Sequence, residues 1–341
     1  MGIIIIYNAD LYKVQTRDYM AIDLEYLRID TILGVDLYLQ SSDKLILYRS
    51  RNVPFNDKVR KNLLIHGVKQ LYIASSDSEK YSRYIENNLG HILADPNVNV
   101  DKKRALVYDS SLNIARELLK DPTSPTTVKR ATKIVEGMVE LYQKDTGGFQ
   151  KIIQLMPFDY SIINHSANVA TYSIAVGKSL GIQKNDLYEL GLGALLHDIG
   201  KSKIPKEILN KPARLTPDEF NKVKEHVVFG MDIASNNPLI PRKSLEPILC
   251  HHERLSGIGY PHGIKENNIP LYGLITGAAD SFDAMTTNRV YQKALTTYDA
   301  LEILLEETDD YDRRVLVELL KLMGPDKVFK KQASEIDLSI V

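Results

Sequence analysis

Five histidines fall on, or at the ends of, apolar stretches with helical spacing: His165, His197, His226, His251 and His252. That placement constrains the fold more than any other feature of the chain. A buried imidazole costs free energy unless it finds a partner. One histidine on an apolar helix is ordinarily a satisfied core residue. Five, with aspartates beside them, call for helices that share a polar interior, and a metal ion is the economical common partner for neutral imidazole.

Each histidine stands in a local pattern. Asp186–Asp198 reads as a Leu-rich helix with Asn185 as its N-cap, running into His197-Asp198-Ile199-Gly200-Lys201. Adjacent helical residues point about 100° apart, so His197 and Asp198 flank a site at the helix end rather than share a stripe. Gly200 is expected to release the backbone there. A carboxylate in that position has two oxygens and can bridge two cations. Thr216-Pro217-Asp218-Glu219 is a capping box with proline at the first helical position. It opens an apolar stripe of Phe220, Val223, Val227 and Met231, with His226 beside it. His251-His252-Glu253 ends a helix and leads into Ser256-Gly257-Ile258-Gly259-Tyr260-Pro261, which must turn tightly. Leu271–Thr287 carries Asp280 and Asp283 on one helical face, after Gly277-Ala278-Ala279, whose small side chains permit close helix approach.

The remainder of the chain has another texture. Gly2–Tyr7, Tyr26–Thr31, Val35–Gln40, Lys44–Tyr48 and Gln70–Ala74 are short and rich in Ile, Leu, Val and Tyr, as half-buried strands are. Ser41-Ser42-Asp43 fits a hairpin turn, and Asn56–His66 a helix capped by Asn56, with Val59, Leu63 and Leu64 on one face. From about residue 96 helical spacing takes over, in Val100–Leu119 and Thr126–Tyr142, separated by Asp121-Pro122-Thr123-Ser124-Pro125. The expected class is α+β: a small α/β module of unknown ligand over 1–95, a helical connector over 96–148, and an all-α bundle over 149–341. His66 and His91 have no spaced partner and read as structural or surface residues. Cys250 reads as a small core residue beside the site, and His262 as exposed.

Composition removes several classes of function. The net charge of -1 supplies no field for polymeric nucleic acid or an anionic membrane, so an anionic ligand must be held locally. The single cysteine, Cys250, excludes an intrachain disulfide and a multi-thiolate zinc site, in keeping with a reducing cytoplasm. No stretch approaches the ~18 unbroken apolar residues of a membrane span. Nineteen tyrosines without tryptophan are scattered along the chain, which suits packing rather than a base-stacking platform.

Taken together, His197-Asp198-Ile199-Gly200-Lys201, His251-His252-Glu253 leading to Gly259-Tyr260-Pro261, and Ala279–Thr286 followed by Arg289 resemble the HD-GYP family. The similarity covers roughly residues 150 to 325, in the family's order and spacing. It implies an HD-type bundle around a binuclear metal centre. That centre hydrolyses cyclic di-GMP to pGpG or GMP in bacterial second-messenger signalling, using a bridging hydroxide. Carried over by position, the implied metal ligands are His165, His197, Asp198, His226, His251, His252 and Asp280. Asp198 would bridge the ions, iron in the first place and manganese in the second. Lys201 would meet the scissile phosphate and Arg289 another phosphate of the substrate. Tyr260 would lie beside the substrate, while Asp283 and Glu253 support ligands and loop from behind. The Gly-Tyr-Pro loop is also where a partner such as a GGDEF-type diguanylate cyclase would dock.

Three positions depart from the family pattern. Ser161 stands where some members carry a glutamate for a third metal, so two ions are expected. Ser256 replaces an aspartate, either as an equivalent turn cap or with altered substrate access. Gln292 replaces a basic residue, and losing a charge-assisted contact there would weaken substrate binding by ~1–3 kcal/mol. The alternative these departures leave is a catalytically weak or inactive HD-GYP protein that binds cyclic nucleotide or another protein.

Overall fold

The computed structural model describes residues 18–41, 44–144, 149–157, 161–288, 293–307 and 309–323. The expected strand Gly2–Tyr7 and most of the turn Ser41-Ser42-Asp43 lie outside them. The chain forms two compact units, Met1–Asn99 and Val100–Val341.

In the first unit, strands β1 (Tyr19–Asp23), β2 (Leu37–Ser41), β3 (Lys44–Arg49) and β4 (Gln70–Ala74) form one antiparallel sheet in the order β1-β4-β2-β3. Period-two alternation decides its faces: Leu71 and Ile73 of β4 are buried, whereas Gln70 is exposed. Helix α1 (Asp57–Ile65) has its expected cap, with the Asn56 side chain accepting from the Val59 N–H at 3.0 Å. Only Leu63 of its expected apolar face is fully buried; Leu64 is 51% exposed. Tyr26–Thr31 is not a strand. Tyr26 ends a 3-10 turn over Leu24–Tyr26, the buried Leu27 caps it, and Thr31 makes one isolated bridge to Phe55. Strand β1 and helix α2 (Ser78–Ala94) complete the unit.

Every named element of the second unit is a helix. Helices α3 (Val100–Lys120) and α4 (Pro125–Lys144) begin it, followed by α5 (Phe149–Ile153), α6 (Ile162–Ser179) and α7 (Lys184–Leu196). After these come α8 (Lys206–Leu209), α9 (Pro217–Lys224), α10 (His226–Ser235), α11 (Leu245–Cys250), α12 (Leu271–Thr286), α13 (Thr297–Glu306) and α14 (Arg313–Met323). The stretch expected as a connector packs with this bundle: α3 lies against α4 and α6, and α4 against α7. Helix α6 is buried all round from His165 to Gly177, which makes it the central element of the bundle.

Two local expectations change here. Helix α7 starts at Lys184 after Gln183, two residues before the expected cap Asn185. The stripe expected through one helix is divided between α9 and α10 at Glu225, and Phe220 is left 46% exposed. The capping box at Thr216 and Glu219 forms as the sequence reads.

Candidate metal centre

Five helix segments deliver the polar groups. His165 comes from the first turn of α6 and His197 caps the C-terminus of α7; Asp198 leads into a 3-10 turn at Ile199–Lys203. His226 opens α10, His251 and His252 follow α11, and Asp280 and Asp283 lie on α12. Close packing makes the convergence possible. A Cβ on Gly200 would stand 1.9 Å from the His226 carbonyl oxygen, so this glycine serves close contact with α10. It has no left-handed φ, contrary to the backbone role expected of it. A Cβ on Gly277 would come within 2.7 Å of the His251 carbonyl oxygen, so α12 lies directly against the end of α11.

The side chains meet in three overlapping groups capable of holding metal ions: His165, His197 and Asp280; His197, Asp198 and His251; and His226, His251 and His252. Asp198 lies between them. Its Oδ2 is 3.6 Å from His165 Nε2 and 3.3 Å from His197 Nε2, while its Oδ1 is 3.3 Å from His226 Nε2 and 4.0 Å from His251 Nε2. Asp280 Oδ1 lies 2.9 Å from His165 Nε2, and Oδ2 lies 3.7 Å from His252 Nδ1.

Four rings are oriented from behind. His197 Nδ1 donates to the Ala194 carbonyl at 2.7 Å, His226 Nδ1 to that of Val223 at 2.6 Å, and His251 Nδ1 to that of Pro247 at 2.8 Å. His165 Nδ1 donates to Asp283 Oδ2 at 2.7 Å. With the proton held at Nδ1, His197, His226 and His251 present the Nε2 lone pair to the centre, the tautomer that a metal-binding imidazole requires, while His165 Nε2 faces Asp280 Oδ1. His252 differs: its ring stacks on Tyr260, with centroids 4.5 Å apart.

Two atoms test whether a cation fits. His197 Nε2 and Asp198 Oδ1 are buried without a hydrogen-bond partner, and leaving such groups unmatched ordinarily costs ~1–3 kcal/mol each. Both point into the histidine groups, and a divalent ion would satisfy them together. The electrostatics agree. Burial alone would raise the Asp198 carboxyl, but Lys201 and the surrounding histidines outweigh it and hold it well below the usual range. Burial lowers His226 to about 4 and holds His251 and His252 well below their ordinary value, so these rings are neutral lone-pair donors near pH 7.

Around this centre, Lys201 Nζ bonds to Asp198 Oδ2 and is 14% exposed. Asp283 is fully buried and also accepts from Asn168 Nδ2 at 2.8 Å. Sequence reasoning missed Asn168, although its position three residues beyond His165 puts it on the same side of α6. Glu253 accepts from the backbone N–H groups of His262 and Ile264, at 2.8 and 2.9 Å, and so pins the ends of the Gly-Tyr-Pro loop together. Ser256 Oγ bonds to Asp310 and accepts from the Ile258 N–H at 3.5 Å, which is a capping role. Cys250 is buried, its thiol pushed up to about 12 by burial, and His262 is exposed. Arg289 and Gln292 lie outside the described residues.

Residues 150–315 match the HD domain family. Among curated proteins, a cyclic di-GMP phosphodiesterase of Thermotoga maritima is 30% identical over 226 residues, which is 64% of this chain and 61% of that protein. These residues are similar to HD domains. A cyclic di-GMP phosphodiesterase response regulator of Xanthomonas campestris pv. campestris is 38% identical over 149 residues, 43% of this chain and 39% of its own length. A 3'3'-cGAMP-specific phosphodiesterase of Vibrio cholerae is 38% identical over 143 residues, 42% of this chain and 31% of its own. The chain thus spans about six-tenths or less of the length of these relatives. Among solved structures, a HDG"Y"P protein from Bdellovibrio bacteriovorus shares the fold, with a TM-score of 0.64 at 21% identity, covering 90% of this chain and 100% of that one.

Proposed function

We propose that the HD domain hydrolyses a phosphodiester bond of a cyclic dinucleotide, with cyclic di-GMP as substrate and pGpG or GMP as product. The observation that carries this reading is the run of overlapping histidine–aspartate groups, with unmatched atoms at its centre, beside the Gly-Tyr-Pro loop. The relatives named as phosphodiesterases of cyclic di-GMP supply the substrate class.

His165, His197, Asp198, His226, His251, His252 and Asp280 would hold two divalent ions, iron first and manganese second. Imidazole and carboxylate without thiolate suit both metals. Bound ions supply Lewis acidity at the phosphate and activation of water near neutral pH. The protein's own residues do the rest. Asp198 faces both ends of the cluster with one oxygen each, as a bridging carboxylate must. Lys201 holds a cation at the rim, where charge gathers on phosphate oxygens during displacement. Tyr260, stacked on His252 and with Lys224 Nζ 5.2 Å from its ring centroid, provides a wall for the substrate. Arg289 completes the proposed phosphate contacts. In this reading the first unit is a regulatory module and the protein acts in the cytoplasm. Among the described residues, no helix is long and apolar enough to cross a membrane. The Gly-Tyr-Pro loop, where Ile258 is 77% exposed, is the proposed contact for a GGDEF-type cyclase.

Metal analysis of anaerobically purified protein, paired with hydrolysis assays on cyclic di-GMP and 3'3'-cGAMP, tests the proposal. About two ions per chain and chelator-sensitive hydrolysis are expected. Full metal loading and nucleotide binding without turnover would instead identify a binding module, the reading that Gln292 favours. Protein that takes up no metal overturns both.

A further inference from the structure

A buried hydrogen-bond chain runs outward from His165 through Asp283 to Asn168 and Tyr108. His165 Nδ1 donates to Asp283 Oδ2 at 2.7 Å. Asp283 Oδ1 accepts from Asn168 Nδ2 at 2.8 Å, and Asn168 Oδ1 accepts from the Tyr108 hydroxyl at 2.6 Å. All four side chains are buried, at 3% exposure or less. Every bond has one permitted direction. Burial, reinforced by Asp283, keeps the Tyr108 phenol well above its ordinary value, so it remains a donor. The carboxylate of Asp283 can only accept, which orients the Asn168 amide between them. His165 Nδ1 is thereby held as a donor by a chain that starts at Tyr108.

We propose that Tyr108 is a positioning residue for the metal centre. Through Asn168 and Asp283 it sets the tautomer and orientation of His165. Helix α3 begins at Val100, where the first unit ends, so the first helix of the second unit is tied to a metal ligand. A shift of α3 that lengthened the Tyr108–Asn168 bond would be felt at His165. The inference rests on the reading that His165 binds metal.

Metal-stripped full-length protein is titrated with Mn²⁺, and free Mn²⁺ is read by its magnetic resonance signal. Mutating the outer partners of a ligating histidine costs roughly 10–100-fold in affinity. Two bonds further out, Tyr108→Phe is expected to weaken the tighter site about 3–10-fold, with the modest fall in thermal stability that an unmatched Asn168 Oδ1 brings. Asn168→Ala, which breaks the chain in the middle, should weaken it at least as much. Tyr142→Phe removes another buried hydroxyl, 3.5 Å from Thr171 Oγ1 and outside the chain, and should leave affinity unchanged. In an Asp283→Asn background, Tyr108→Phe should cost little more, because the chain is already broken. Wild-type affinity in both the Tyr108 and Asn168 variants, an equal loss in Tyr142→Phe, or additive losses in the double variant would each overturn the inference. Failure of the unsubstituted protein to bind Mn²⁺ would instead remove the metal centre itself.

Discussion

In the first unit these charges are paired off: Arg28 lies 2.7 Å from Asp95, and the buried Asp77 lies 2.7 Å from Lys80. In the helical unit, His165, His197, Asp198, His226, His251 and Asp280 are all buried facing one another, and two of their atoms have no hydrogen-bond partner. Unmatched atoms occur in the first unit too, at Arg28 Nε and Tyr81 Oη, but among the described residues no set of three ligating side chains surrounds them. An ordinary core gathers apolar side chains and pairs the few charges it traps. A centre that gathers this many imidazoles and carboxylates, and leaves His197 Nε2 and Asp198 Oδ1 unmatched among them, has arranged donors for something outside the chain.

Substitution can break that comparison. Asp198→Ala removes the carboxylate that both ends of the cluster share, and is expected to lower cyclic di-GMP hydrolysis by at least about 10³-fold and to deplete bound metal. Elemental analysis alongside the assay checks this, and wild-type metal content would contradict it. Phe55→Ala, at a fully buried position of the first unit, is expected to destabilise that unit by about 3–5 kcal/mol in denaturant unfolding. The metal content of the chain should stay unchanged, and a parallel loss of metal would erase the distinction between the units.

Acid sharpens it further. Burial sets His226 at about 4 in the folded protein, whereas an exposed histidine titrates near 6.5. The unfolded chain therefore takes up this proton first, and metal-free protein should lose stability as pH falls from about 6.5 towards 4. Above that window His226 contributes no pH dependence. Denaturation midpoints at pH 7.5, 6 and 5 would show the decline, and a flat profile would argue against buried neutral imidazoles. Ser256→Ala is expected to have the smallest effect, about 1 kcal/mol or less, because it removes a cap at an exposed turn. A large loss of turnover with stability intact would move Ser256 from capping to substrate access.

Much of the centre was legible along the chain. The His-Asp pair at a helix end, the double histidine before the Gly-Tyr-Pro turn and Asp280 of α12 lie in local patterns, and each occupies the cluster that the structure brings together, with Asp283 behind it. Local caps were equally readable, since Asn56 and the Thr216–Glu219 box bond within three residues of themselves. Errors arose where tertiary context overruled periodicity. Tyr26–Thr31 has strand-forming residues but lies in no sheet, Phe220 keeps helical spacing but faces solvent, and α7 begins before its best capping residue.

The sequence by itself determined which residue types were available, which helix ends bore them and which class of chemistry they suited. All of that depends on spacings of a few residues, where chain geometry alone dictates direction. Only the tertiary structure decided that Asp198 faces both sets of histidines, that Gly200 is there for contact with α10, and that a tyrosine on α3 reaches His165 through Asn168 and Asp283. Those relations join residues up to 118 positions apart, and close packing of whole helices, rather than any local preference, sets their distances.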